Sequence, residues 1–437
     1  MTSGSSRFRL LVLLALLGAR GLLAPPAPAQ DLRRARQTIA CLASPALHGR
    51  GYVNRGEQRA ARFVQKQFRA LGLLPLTSAG YYQPFTLPIN TFPGRAALAV
   101  NQQPLRPGLD FIADAASGSG SVRGPVRLLD TLIFTQPTAR TALLATPLAG
   151  TVLVLTQAQA RRLPSLPAPV QAHLAAAAAR ITLVPKLTAS LAGEQQPQPR
   201  LEVLASSWPA PARTVALQLE ARLLAAYPTQ NVIGYLPGTA RPDSFLVVSA
   251  HYDHLGRLGC ATYFPGANDN ASGVAMLLEL AAYYAQPAHR PACSVVFMAF
   301  GAEEAGLLGS RYFVEHPWIP LSRIRFLVNL DLLGTGDDGL TVVNGRVFEE
   351  PFRQLQHLNA QQQYVGSLAA RGRAANSDHY YFSERGVPAF FFYTRGGSPA
   401  YHDVLDRSET LSLTAFGPVF RLLRDFLNGQ GAAPSTK

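Results

Sequence analysis

From Asn231 onward the chain repeats one pattern: an apolar run of strand length, a group of His, Asp or Glu, then a segment of helical character. The runs are Phe245-Leu-Val-Val-Ser-Ala250, Ser294-Val-Val-Phe-Met-Ala-Phe300, Ile324-Arg-Phe-Leu-Val-Asn-Leu330 and Pro388-Ala-Phe-Phe-Phe-Tyr393, and Ser272 to Tyr284 reads as a helix between the first two. Strands that are continuously apolar rather than alternating are buried on both faces. With helices between them they imply an α/β fold with a mainly parallel sheet covered on either side. In such sheets ligands bind just beyond the carboxyl ends of the strands.

The polar groups fall at those ends. His251-Tyr252-Asp253-His254 follows the first run, and strand periodicity puts His251 and Asp253 on one side, where a carboxylate can orient an imidazole. Gly266-Ala-Asn-Asp-Asn-Ala-Ser-Gly273 is a polar turn feeding the helix; in isolation it reads as an ordinary helix cap. Glu303 and Glu304 follow the second run, Asp331 the third; Ser377-Asp378-His379 precedes the fourth and Tyr401-His402 follows it. Adjacent carboxylates at the tip of an apolar strand repel and are desolvated unless something positive compensates them, and a bound cation does so. The donors are nitrogen and oxygen without thiolate, which suits catalytic zinc and, less well, manganese or cobalt. One arrangement gives His251 and Asp331 to a first ion, Glu304 and His402 to a second, and lets Asp269 bridge them.

The rest of the chain sets the context. Residues 1–29, with Arg7 and Arg9, the run Leu10 to Leu17 and Ala27-Pro28-Ala29, read as a secretory signal peptide, so the mature protein is expected to be secreted or periplasmic. No later run is long enough to span a bilayer, and no stable membrane insertion is expected. Residues 30–91 read as a helical N-terminal part of the catalytic domain, with an amphipathic helix over Glu57 to Leu71; residues 92–224 as an inserted accessory domain, with a helix over Val170 to Arg180; 225–428 as the catalytic domain; 429–437 as a disordered tail. The net charge of +14 is carried by scattered Arg rather than by a dense basic run with interleaved aromatics, which argues against a nucleic-acid partner. Cys41, Cys260 and Cys293 cannot form a disulfide framework.

The ordered set His251-Tyr-Asp-His-Leu-Gly256, Gly266 to Gly273, Glu303-Glu-Ala-Gly-Leu-Leu-Gly-Ser310, Asn329-Leu-Asp331, Ser377-Asp-His379 and Tyr401-His402 resembles the M28 family of zinc peptidases over about Asn231 to Leu427. The resemblance implies a three-layer sandwich whose mixed sheet has about eight strands. It implies two zinc ions held by His251, Asp269, Glu304, Asp331 and His402, with Glu303 as general base, Asp253 beside the first histidine and Tyr401 as a donor to the oxyanion. It also implies a protease-associated domain inserted before the catalytic motifs. The expected activity is release of N-terminal amino acids from a peptide or protein substrate. The alternatives are acyl transfer of the glutaminyl cyclase type, or a non-catalytic receptor on the same fold; the presence of all five ligands and Glu303 favours catalysis. The oligomeric state stays open.

Overall fold

The computed structural model describes residues 30–432. The segment read as a signal peptide, and residues 433–437, lie outside the described residues. The apolar runs form the middle of an eight-stranded sheet made, in chain order, of β1 (Tyr82–Thr91), β2 (Arg222–Leu236), β3 (Arg241–His251), β4 (Cys293–Phe300), β5 (Ile324–Leu330), β6 (Gly339–Val343), β7 (Leu368–Ala370) and β8 (Ala389–Arg395). Across the sheet they lie in the order β1-β2-β4-β3-β5-β8-β6-β7. The central neighbours β4-β3, β3-β5 and β5-β8 pair in parallel, and so do β6 and β7, whereas β1-β2, β2-β4 and β8-β6 are antiparallel. The sheet is thus mixed, as expected, and its parallel centre holds the four runs that read as unbroken apolar text.

Alternate residues of one strand enter two different cores, which is the period of two made visible. Val295, Phe297 and Ala299 of β4 pack on the face covered by α1 (Leu32–Leu42), α2 (Gly56–Ala70), α3 (Gly273–Ala285), α5 (Glu349–Gln362) and α7 (Phe416–Ala432). Val296, Met298 and Phe300 pack on the face covered by α4 (Leu308–Glu315) and α6 (His379–Glu384). α3 is buried on almost every side, so its sequence lacks a polar face. α2 instead buries one stripe, Ala60, Ala61, Val64 and Phe68.

Three expectations are corrected here. Residues 30–91 are not only helical: they supply the edge strand β1, whose Pro84 and Pro88 broke the strand signal but are tolerated where no further strand must be paired. Val170 to Arg180 is not one helix. A helix at Ala168–Ala175 gives way to a strand at Ala179–Val184, because pairing in parallel with Val152–Thr156 and Arg200–Leu204 outweighs the helix propensity of the alanines. Gly429 to Ala432, expected to fray, complete α7.

Residues between β1 and β2 build a second eight-stranded sheet from strands lying between Ala96 and Leu219. Its core reaches the segments that follow β3 and β8: Leu98, Val215 and Leu217 share a cluster with Leu255, Leu258, Phe264 and Val404.

The ring of Phe390 is fully buried, with centroids 4.9 Å from Phe326 and 5.9 Å from Phe426. Phe390→Ala is therefore expected to cost about 3–5 kcal/mol, read as a lowered urea midpoint at unchanged slope.

Candidate metal centre

The strands of the parallel centre deliver their polar groups to the same edge. His251 closes β3; Glu303 and Glu304 follow β4; Asp331 follows β5; His402 sits in the loop after β8; and Asp269 lies in the turn Ala267–Ser272 that opens α3. Asp269 joins the two halves of the cluster. Its Oδ1 lies 3.3 Å from His251 Nε2 and its Oδ2 3.1 Å from His402 Nε2. His251 Nε2 is 3.5 Å from Asp331 Oδ1 and 4.0 Å from Glu303 Oε2, and His402 Nε2 is 3.1 Å from Glu304 Oε2. All five expected ligands and Glu303 line one cleft of about 280 Å3, and Tyr401, stacked on the His402 ring at 4.0 Å, lines it with them.

The donors fit cations. Asp331 Oδ1 is buried without a hydrogen-bond partner, while Oδ2 accepts from the Ser377 hydroxyl at 3.0 Å. Around a tetrahedral zinc with bonds of about 2.0–2.1 Å, ligand atoms stand roughly 3.3 Å apart. The separations of 3.1 to 3.5 Å between imidazole and carboxylate atoms match that edge in two sets, His251–Asp269–Asp331 and His402–Asp269–Glu304.

Without a cation, protons must compensate the carboxylates. Burial opposes a charge on His402, yet Glu304 and Asp269 push its pKa up to about 11. Burial likewise opposes a charge on His251, but Glu303 and Asp331 raise it well above the usual imidazole range. Glu304, despite burial and the adjacent Asp269, is held down at about 2 by His402 and His254. Glu303 moves the other way: burial raises it well above the carboxylate range, against the pull of His251 and with help from Asp378, Glu304 and Asp331.

The loops carrying these groups are fixed by polar contacts. Asp253 serves the site twice: its Oδ1 is 3.7 Å from His251 Nδ1, and its carboxylate accepts the backbone N–H groups of Glu303 (3.1 Å) and Glu304 (3.3 Å). His254 Nδ1 lies 2.6 Å from Glu304 Oε1. The turn before α3 is not capped in the usual way. Asn270 Oδ1 accepts from Gly273 N while its Nδ2 donates to Leu330 O, and Asn268 Oδ1 and Ser272 Oγ accept from Gly334 N and Leu333 N. That motif thus staples the Asp269 turn to the segment bearing Asp331. Gly266 at its start has φ +59°, and a Cβ there would stand 2.2 Å from Asp269 O.

Several residues that hold the site escaped the sequence reading. The fully buried Arg50 donates to the carbonyls of Leu42, Tyr252, Pro265, Gly266 and Asp269, so one guanidinium ties the end of β3 to the Asp269 turn. Burial lowers its pKa to about 10, still far above neutrality, with Asp269 and Asp406 opposing the fall. Asp406 accepts from Asn268 N and Asp269 N. Ala189, in the second sheet's part of the chain, accepts at 2.8 Å from His402 Nδ1 and donates to His402 O at 2.9 Å, which leaves Nε2 facing Asp269 and Glu304. The flanking Gly49 and Gly51 were the available signal for Arg50; Asp406 and Ala189 had none, being ordinary residues of loops. Phe391 lines the cleft, as do Arg371 and Tyr393, whereas Phe392 is buried and absent from its lining.

A cluster of imidazole and carboxylate donors at the carboxyl edge of a mixed α/β sheet defines the class: an α/β protein built around a candidate cation site. Residues 231–427 match the model of peptidase family M28. Aminopeptidase YwaD of Bacillus subtilis is 31% identical over 194 residues, 42% of this chain and 41% of that protein. A probable zinc metalloprotease of Pyricularia oryzae is 39% identical over 113 residues, 25% of this chain and 22% of the relative. The chain therefore spans less than half the length of these curated relatives. Among solved structures, the zinc aminopeptidase BSAP of Bacillus subtilis superposes with a TM-score of 0.68 at 21% identity over 93% of this chain and 96% of that one. A peptidase M28 precursor of Shewanella amazonensis gives 0.67 at 14% identity over 93% and 95%. These superpositions show the fold, second sheet included.

Two outcomes are expected. Arg50→Gln leaves buried carbonyls without donors and should cost at least about 3 kcal/mol in urea unfolding and weaken zinc binding; a variant with wild-type midpoint and affinity would remove Arg50 from this role. A metal-binding imidazole must be neutral, while the surrounding carboxylates raise the proton affinity of His251 and His402 in the cation-free protein, so zinc binding should release protons. Calorimetry in buffers of different ionisation enthalpy should show that release, and affinity should rise with pH across the neutral range.

Proposed function

We propose that this chain is a zinc-dependent aminopeptidase, with His251 and Asp331 holding one zinc, Glu304 and His402 a second, and Asp269 both. The observation that carries this reading is the two-sided Asp269 carboxylate, one oxygen 3.3 Å from His251 and the other 3.1 Å from His402. With three ligand carboxylates and one hydroxide, two divalent ions balance to zero charge, which favours their retention in a buried site. The family match over residues 231–427 and the relatives named as zinc aminopeptidase and zinc metalloprotease support the metal and the reaction class.

The zinc pair, when bound, supplies Lewis-acid polarisation of the scissile carbonyl and acidifies water at the site. Glu303 accepts the proton of the attacking water on its carboxylate and passes it to the departing amine. In the cation-free protein burial and the neighbouring acids Asp378, Glu304 and Asp331 raise the proton affinity of Glu303, against the pull of His251. Tyr401, whose own pKa burial raises, stays a neutral phenol and donates to the developing oxyanion from its place against the His402 ring. Asp253 fixes both the imidazole of His251 and the backbone that presents Glu303.

Residues 1–29 are inferred to be a secretory signal; among the described residues no helix is long and apolar enough to cross a membrane. The segment 92–224 is inferred to be a protease-associated type of insertion whose loop orients His402.

The reading is tested with the purified chain on leucine-anilide: activity should vanish with chelator and return with zinc, and glutaminyl substrates should not cyclise faster than they do unaided. Glu303→Gln should retain zinc while kcat falls by about 10²-fold or more. Normal turnover in that variant would remove Glu303 as the base.

A further inference from the structure

The cleft that holds the metal cluster continues along one face of β8. Phe391 and Tyr393 stand two residues apart on that strand, so their side chains share a face, and their ring centroids are 5.3 Å apart. Beyond Tyr393 lies Arg371, directly after the short edge strand β7. Its Nη1 donates to the Tyr393 hydroxyl at 3.0 Å, and its guanidinium carbon lies 5.9 Å from the Tyr393 ring centroid.

Arg371 is the only Lys or Arg among the residues lining this cleft. Among the described residues it takes part in no ion pair, unlike Arg373 two residues on, which pairs with Glu384 at 2.7 Å. The acids of the cleft, Asp269, Glu303, Glu304 and Asp331, all belong to the cation cluster, where zinc and the imidazoles account for them. The guanidinium is exposed and lines the cleft beside the Tyr393 ring, with a net positive charge and with donors beyond the one given to Tyr393. A planar fork of donors held this way matches a carboxylate.

We propose that Arg371 is a specificity-determining residue that selects substrates carrying a carboxylate near the scissile bond. The carboxylate is either the side chain of an N-terminal Asp or Glu or the free C-terminus of a short peptide. This rests on the aminopeptidase reading and deepens it: the aromatic floor takes the aliphatic stem, and Arg371 takes the anionic end. A lysine or arginine side chain in the same place meets a like charge.

The test compares kcat/KM of the zinc-loaded protein on glutamyl-, leucyl- and lysyl-anilide, and on Leu-Gly against its C-terminal amide, for the wild type, Arg371→Gln and Arg371→Glu. In the wild type, glutamyl-anilide should exceed lysyl-anilide. Arg371→Gln should lower the glutamyl-to-leucyl ratio, or the Leu-Gly-to-amide ratio, by about 10-fold or more and chiefly through KM, the scale of one charge-assisted hydrogen bond. Loss of the first ratio assigns the side chain, loss of the second the terminal carboxylate. Arg371→Glu should reverse the preference toward lysyl-anilide. Ratios unchanged in both variants overturn the proposal. Calorimetric binding of glutamate and leucine to zinc-loaded wild type and Arg371→Gln separates the two readings. Absent turnover with Arg371-dependent glutamate binding sinks the aminopeptidase reading and keeps the carboxylate site; turnover with Arg371-independent ratios and binding does the reverse.

Discussion

Four carboxylates meet two imidazoles at one edge of the sheet, within 3.1 to 4.0 Å of each other across the imidazole–carboxylate contacts. Two like charges 4 Å apart in a partly buried setting repel by about 4 kcal/mol, so such a cluster stands only if positive charge is interleaved with it. Protons on His251 and His402 supply that charge in the cation-free protein, and cations supply it with a geometry the ligand spacing already matches. The raised His251 and His402, the depressed Glu304 and the raised Glu303 all follow from this one electrostatic requirement.

Repelling groups must also be prevented from relaxing apart, and the strands alone cannot do this because most of the ligands sit on loops. Arg50 answers the problem with a single buried guanidinium on five carbonyls from three segments. Asp406 holds the backbone of the Asp269 turn, and Asp253 holds the backbone of Glu303 and Glu304. Each uses one charge to organise neutral backbone groups, which costs desolvation but leaves few alternative arrangements for the loop.

The second sheet takes part in this organisation. Its contact at Ala189 fixes which nitrogen of His402 faces the acids, and its core continues into Leu255, Phe264 and Val404 beside the site. His402 has φ +56°, so a strained residue is held between two parts of the chain rather than by its own loop.

Burial pattern and chemistry made the parallel centre and its polar tips legible in the sequence. A strand covered on both faces must be continuously apolar, so β3, β4, β5 and β8 declared themselves, and an acid or histidine directly after such a run stands out. The ring of groups on Asp269, Glu304 and His402 could be named because each is a chemically rare choice at its place. The edge strand β1 was hidden, since its prolines are tolerated only because no partner lies beyond it. Arg50, Asp406, Arg371 and Ala189 were hidden for a different reason: their roles depend on partners up to 219 residues away, and nothing local marks an arginine that will meet five carbonyls or a carbonyl that will meet an imidazole. The amino-acid order by itself determined which groups lie at the strand tips. Only the tertiary structure decided their orientation and the wall of the cleft, because directional hydrogen bonds between distant loops are set by packing and not by sequence spacing.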